Sequence, residues 1–176
     1  MMQKTFFSIL VIIVLSLGSC EDLQNSFDSK LSTNKNTGDI SLRLYFDKST
    51  NDKILIEPET RDISKYEYDI SLVMDELIKG PSSSSGLSPV LPKDTRILSI
   101  SFKDSIAIID LSKECKVPMT GKKEEACLRS IVTSLLELKY VKKVKINIES
   151  NPTDSLGGNF NLSEPLDLES IPIAKY

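Results

Sequence analysis

The chain has 176 residues, 22 Lys and Arg, 25 Asp and Glu, and neither His nor Trp. Without His there is no Ser-His-Asp triad, no Cys-His dyad and no zinc site built on imidazole, so acid–base chemistry would fall to a carboxylate, Lys, Tyr or Cys with a strongly shifted pKa. A net charge of −3 argues against nucleic acid as a partner, and the 7 Gly include no pair spaced as a dinucleotide loop, so no cofactor and no metal are expected.

Met1-Met2-Gln3-Lys4 is a short positive head, and Phe6 to Leu17 is apolar apart from Ser8 and Ser16. The run is about 12 residues long, short of the ~20 that span a bilayer. Residues 1–19 therefore read as a signal peptide rather than a transmembrane anchor. The run ends in Leu17-Gly18-Ser19-Cys20, which resembles the bacterial lipobox. That resemblance implies cleavage before Cys20 and a diacylglycerol on its sulfur. The plainer alternative is an ordinary signal peptide followed by a chance Cys. Each buried methylene contributes about 0.8 kcal/mol, so two or three acyl chains, palmitate for example, hold a protein on a membrane without a spanning helix. The expected location is the extracytoplasmic side of a bacterial cell membrane. Residues 20–39 are rich in Ser, Asn, Thr, Asp and Lys and read as a flexible tether.

The folded part is expected over residues 40–168, with a tail over 169–176. Ser41 to Phe46 and Lys53 to Glu57 read as a strand hairpin, the second strand stopped by Pro58, with Glu59 to Ser64 continuing as an edge. Ile70, Val73, Met74, Leu77 and Ile78 form one apolar helical stripe, ended by Gly80-Pro81. Asp69, Asp75 and Glu76 lie mostly off the stripe and read as a solvated face. Arg96 to Phe102 and Ser105 to Leu111 read as strands joined by a Lys103-Asp104 turn. A second helix is predicted from about Lys123 to Lys139, with Leu128, Ile131, Val132 and Leu135 on its buried face. Glu124 and Glu125 in its first turn complement the helix dipole. Val144 to Glu149 alternates as a strand. The order β-β-α-β-β-α-β predicts an α+β fold, with a mixed or antiparallel sheet and two main helices on one face.

Cys115 and Cys127 remain beside Cys20. An even pair in an exported chain suggests a disulfide, and two unpaired thiols are the alternative. Gly157-Gly158 permits positive φ and a close backbone approach. It reads as a tight turn placing Asn159 to Leu162 as a final strand, or else as a ligand-approach loop. Ser32-Thr33-Asn34-Lys35 and Thr120-Gly121-Lys122 echo a penicillin-binding motif and a phosphate loop, but both lack the rest of those motifs. Lys139, Lys142, Lys143 and Lys145 make a basic cluster around a helix end, with anionic lipid or wall polymer as an alternative target.

Three stretches in order carry a family likeness. The first is Leu42 to Phe46 with Pro58-Glu59-Thr60-Arg61. The second is Leu77-Ile78-Lys79-Gly80-Pro81, then Gly86 to Thr95 and Asp110-Leu111-Ser112. The third is Val141 to Val144, then Ser155-Leu156-Gly157-Gly158 and Leu162 to Leu166. Together they resemble the GerMN domain of bacterial sporulation and spore-germination lipoproteins. The resemblance implies a non-enzymatic, extracytoplasmic module, a fold akin to two ring-building-motif halves, and Gly157-Gly158 as the family's turn. The segment between Cys115 and Cys127 and the serine tract Ser82 to Ser85 depart from the pattern.

The expected function is therefore a membrane-anchored lipoprotein whose domain acts as a protein-interaction or assembly module in the cell envelope. Its partners would be the membrane, through the lipidated amino end, an envelope protein, and peptidoglycan by proximity. The competing reading is a carboxylate-dependent enzyme acting on cell-wall glycan, since carboxylates are plentiful. Aromatic platforms for sugar are few, at 6% aromatic residues. A small-ligand-capturing lipoprotein is a third.

Overall fold

The computed structural model describes residues 39–64, 67–153 and 155–171, all within the unit Gly38–Tyr176. Strands β1 (Asp39–Asp47) and β2 (Ile56–Ser64) lead into helix α1 (Ile70–Lys79). Strands β3 (Ile97–Lys103) and β4 (Ile106–Leu111), a short 3-10 turn (Lys113–Cys115), helix α2 (Gly121–Leu136), β5 (Lys143–Ile148) and the two-residue β6 (Asn151–Pro152) follow. The α+β class and the element order agree with the sequence reading. The strands form two sheets rather than one: an antiparallel β1–β2 pair and a mixed sheet ordered β3-β4-β5-β6.

β1 alternates, and its inward Leu42, Leu44 and Phe46 are fully buried. β2 runs through Pro58, which sits opposite Tyr45. Proline does not stop this strand, because among the described strands β2 pairs with β1 alone and a missing N–H on the outer edge breaks no ladder bond. In α1 the expected stripe is buried at Ile70, Val73, Met74 and Leu77. Asp69 is the N-cap, its side chain accepting from the Leu72 N–H at 2.9 Å. Gly80 ends the helix at φ 81°, its N–H returning to the Leu77 carbonyl.

The β3–β4 turn falls one residue later than expected, on Asp104 and Ser105, at φ 52° and 63°. Lys103 thus faces Ile106, and both turn residues take the left-handed region, as a two-residue type I′ turn requires. Glu149 and Ser150 repeat this geometry between β5 and β6, at φ 51° and 63°. β4 pairs with β5 in parallel, and α2 is the crossover between them.

α2 is buried well beyond one stripe. Leu128, Ile131, Val132 and Leu135 are inside as expected, and so are Glu124, Glu125, Cys127, Ser130 and Ser134. The helices contact each other and strands of both sheets, α2 meeting β1 and β5 and α1 meeting β1 and β3. Each large apolar side chain buried there contributes about 1.5–3 kcal/mol. Because strands pack on it from both sheets, the polar side chains that α2 buries are expected to find partners. Glu124 and Cys127 find theirs in the site described next, while the Ser130 hydroxyl is buried with no hydrogen-bond partner among the described residues.

Candidate functional site

The first turns of α2 hold three separate segments. Thr120 is the N-cap, its hydroxyl accepting from the Lys123 N–H at 3.3 Å. Glu124, one turn in, has no solvent exposure. Its Oε1 accepts from the Ser155 hydroxyl (2.7 Å), the Leu156 N–H (3.0 Å) and the Gly157 N–H (2.8 Å). Its Oε2 accepts from the Asn159 N–H and side-chain amide, both at 2.8 Å. Five donors thus converge on one carboxylate. Burial pushes its pKa up, but the Gly157 N–H, the Ser155 hydroxyl and Asn159 outweigh it and hold the group below the usual carboxylate value.

This clasp explains Gly157-Gly158. A Cβ at 157 would collide with the Met119 side chain and fall 2.9 Å from Glu124 Oε2, and Gly158 sits at φ 98°. The backbone bends over residues 156–160, and the final strand expected at Asn159 to Leu162 is not formed, since that stretch is a loop. Its Asn159 N–H and amide bond a side chain, not a neighbouring strand.

Lys123 and Cys127 extend the same hub. Lys123 Nζ donates to Asp47 Oδ2 at 2.8 Å and to the Pro89 carbonyl at 3.0 Å. Desolvation raises the Asp47 pKa, but hydrogen bonds from Lys123 and Ser49 lower it further, to a net depression. Cys127 Sγ donates to the Val90 carbonyl at 2.8 Å. Cys115 and Cys127 are both buried and free. The structure therefore departs from the expected disulfide, with the Cys127 thiol turned to a backbone acceptor instead. Burial pushes the Cys115 thiol up to about 11 and the Cys127 thiol up to about 12.

A second polar node joins β2 to α1. Arg61 binds Glu59 through Nε at 3.1 Å and Nη2 at 2.7 Å, meets the Glu76 carboxylate, and reaches the Glu76 and Gly80 carbonyls at 3.2 and 2.6 Å. Glu59 in turn accepts from the Ser82 N–H and hydroxyl, both at 2.9 Å. The guanidinium caps the carboxyl end of α1 and lies 5.7 Å from the Phe46 ring centroid. Of the three acids assigned to a solvated face, Asp75 is exposed. Glu76 is mostly buried, held by Arg61 and Lys79, because β2 lays Arg61 along that side of the helix. At a third point, Asp110 accepts from the Ser150 N–H at 2.9 and 3.0 Å and from its hydroxyl at 2.9 Å, fixing the β5–β6 turn.

The basic cluster is partly spent inside the fold. Lys143 pairs with Asp167 at 3.2 Å, Lys145 reaches the Leu162 and Ser163 carbonyls, and Lys139 lies 3.6 Å from Glu137. Lys142 is exposed. Of the phosphate-loop echo, Thr120 is a helix cap and Lys122 bonds the Asn51 carbonyl. Cys20, the signal peptide, the tether and Ser32 to Lys35 lie outside the described residues. Among the described residues no group of three or more acids or thiols is placed to hold a metal, and no helix is long and apolar enough to cross a membrane.

Two sheets bridged by a buried helix, with that helix's acidic side chain holding a glycine turn, define a small α+β domain whose polar residues organise loops. A family model, Germane (sporulation and spore germination), matches residues 43–154, and the chain belongs to this family. Among solved structures, the chain is similar to a protein described as a candidate lipoprotein from Clostridium perfringens. The two are 41% identical over 77% of this chain and 91% of that one, with a TM-score of 0.59. It is also similar to the tandem GerMN domains of the Bacillus subtilis sporulation protein GerM, at 29% identity and TM-score 0.60, covering 76% of this chain and 47% of that chain. The first GerMN domain of that protein shares the fold, at 24% identity and TM-score 0.61, over 74% of this chain and 99% of that one. No curated protein matches.

Sequence reasoning assigned Glu124 to the helix dipole and missed its clasp. The signal was present in part: a Ser-Leu-Gly-Gly-Asn run offers several N–H donors at a turn. Nothing in the sequence says that their acceptor lies 31 to 35 residues earlier.

Proposed function

We propose that the chain is a lipoprotein, lipidated at Cys20, tethered through residues 20–39 to the outer face of the cell membrane. Its domain serves there as a non-enzymatic interaction or assembly module of the sporulation and germination type. The observation that carries the binding-module reading is the Glu124 clasp. Both carboxylate oxygens are occupied by loop donors, so the most pre-organised acid of the domain is committed to loop architecture. Asp47, Glu59 and Glu76 are likewise engaged by Lys123, Arg61 and Lys79. Supporting the anchor, the 41% identical Clostridium perfringens protein is described as a candidate lipoprotein.

The anchor is tested by detergent phase partition and by metabolic labelling with palmitate. The expected result is label and detergent partition for the native chain and loss of both in Cys20→Ala. An unlabelled native chain, or label surviving in Cys20→Ala, overturns it. The module is tested by incubating purified protein with wall sacculi. Release of muropeptides would replace the binding module with a glycan-acting enzyme.

A further inference from the structure

The approach to α2 and the carboxyl-terminal loop meet at one residue, Met119. Its carbonyl accepts from the Asn159 side-chain amide at 2.8 Å, and its N–H reaches the Gly157 carbonyl at 3.5 Å. The thioether lies across Gly157, in the space that a Cβ there would need. That point is 2.2 Å from Met119 Cγ, 3.1 Å from Met119 Sδ and 2.9 Å from Glu124 Oε2. Sulfur and carboxylate are therefore neighbours over a bare glycine. Of the four methionines, Met1 and Met2 lie outside the described residues, Met74 is fully buried in the core, and Met119 is half-buried.

A thioether needs no hydrogen bond from this loop, and a sulfoxide does. Oxidation turns a flexible apolar side chain into a polar one with an acceptor oxygen. The donors nearby are already committed. The Ser155 hydroxyl and the N–H groups of Leu156, Gly157 and Asn159 go to Glu124, and the Gly158 N–H goes to the Ser155 hydroxyl. The Asn159 amide is shared between Glu124 Oε2 and the Met119 carbonyl. An oxygen on Sδ would either draw a donor away from the carboxylate or swing out to water and strip the side chain from Gly157. Both loosen the same loop, and an acceptor oxygen beside an ionised carboxylate adds repulsion.

We propose that Met119 is an oxidation site whose sulfoxide releases residues 155–159 from Glu124. The oxidant is hydrogen peroxide or a peroxide of its class. The sulfur lone pair takes one peroxide oxygen as the O–O bond breaks. The proton on that oxygen passes to the departing hydroxide, which leaves as water, so sulfur is oxidised by two electrons and the peroxide is reduced. A methionine sulfoxide reductase reverses the step, oxidising a dithiol to a disulfide and releasing the oxygen as water. This switch in the loop does not depend on what the domain binds.

The test treats the full chain in detergent with hydrogen peroxide and reads each methionine by peptide mass spectrometry. Met119 is expected to gain one oxygen well before Met74. Hydrogen–deuterium exchange over 155–159 should then run about tenfold faster, as loss of a hydrogen bond to a charged acceptor implies. It should return to its starting rate after methionine sulfoxide reductase with dithiothreitol. Met119→Leu, a swap of similar volume, should keep the native exchange and ignore peroxide. Glu124→Gln should begin with fast exchange over 155–159 and change little on oxidation, which separates release of the clasp from general loosening. If Met119→Leu fails to fold, reversal by the reductase in the native chain decides. Oxidation of Met74 as fast as Met119, oxidised Met119 with unchanged exchange over 155–159, or the same acceleration in folded Met119→Leu each overturns the proposal. So does acceleration spread evenly over the core strands, the mark of global unfolding.

Discussion

Glu124 Oε1 accepts the Gly157 N–H at 2.8 Å, and a Cβ on residue 157 would stand 2.9 Å from Glu124 Oε2. Glycine is required at 157 by this approach, not by its dihedral angles. Gly157→Ala should therefore cost about 1–3 kcal/mol by overpacking, read from urea unfolding. Gly158→Ala faces open space and pays only for its φ of 98°. It should cost about 1 kcal/mol. Equal costs for the two would refute the collision.

Acid should unfold the domain partly through Glu124. Its folded pKa lies below the ordinary value of 4.5. Above 4.5 the group is ionised whether folded or not, and its contribution is complete. As the pH falls below that value the unfolded chain takes up the proton first, and stability is lost until the folded pKa is passed. Glu124→Gln should lose about 1–3 kcal/mol at neutral pH, and the gap to the native chain should narrow as the pH falls below 4.5 and through the folded pKa. Asp47, Glu59 and Glu76 are depressed in the same direction and leave a residual acid slope in that variant. A gap that stays constant across the titration would count against the clasp.

Arg61 holds two carboxylates and two carbonyls at once. A lysine has one point of charge and cannot match that fork. Arg61→Lys should destabilise the domain by about 1–3 kcal/mol, as for a lost set of charge-assisted hydrogen bonds. Combining it with Glu59→Gln should cost less than the sum of the two single changes. Strict additivity would place the two residues in independent roles.

Two turns with one backbone geometry should answer glycine differently. Ser105, at φ 63°, has no side-chain bond within the turn. Ser105→Gly should stabilise the domain by about 0.5–1 kcal/mol through relief of the left-handed strain. Ser150, at φ 63° as well, donates its hydroxyl to Asp110 at 2.9 Å. Ser150→Gly loses that bond and should be neutral or destabilising. The comparison is read from paired melting temperatures.

Cys115 and Cys127 should resist alkylation in the native state at neutral pH, because burial holds both as thiols, with pKa values of about 11 and about 12. Site-resolved mass spectrometry after iodoacetamide should find both modified once urea unfolds the chain. A native chain lacking free thiol at both positions would restore the disulfide expected from sequence.

Much of the fold was legible because it rests on local periodicity. The Ile70 to Leu77 stripe, the Gly80 stop and the alternation in β1 and β5 declare themselves within a few residues. Pro58 misled because strand continuation depends on which edge the missing N–H faces, and that is a tertiary fact. The division into two sheets was hidden for the same reason. Arg61 and Glu124 were the costliest omissions. Each is an ordinary charged residue in its own neighbourhood, and its role exists only where a distant segment arrives. The glycine pair was read as a turn leading into a strand; the strand is absent, and the need for glycine at 157 lies in Met119 and Glu124 rather than in its own dihedral angles.

The clasp also sets an order on folding. Lys123 ties back to Asp47, but Glu124 must wait for donors at 155–159. Until those residues have been made and delivered, packing α2 into the core would bury a charge with nothing to hold it, a penalty of several kcal/mol. A nascent chain ending before Ser155 is therefore kept loose by its own glutamate. The delay holds off collapse until nearly the whole domain has been made.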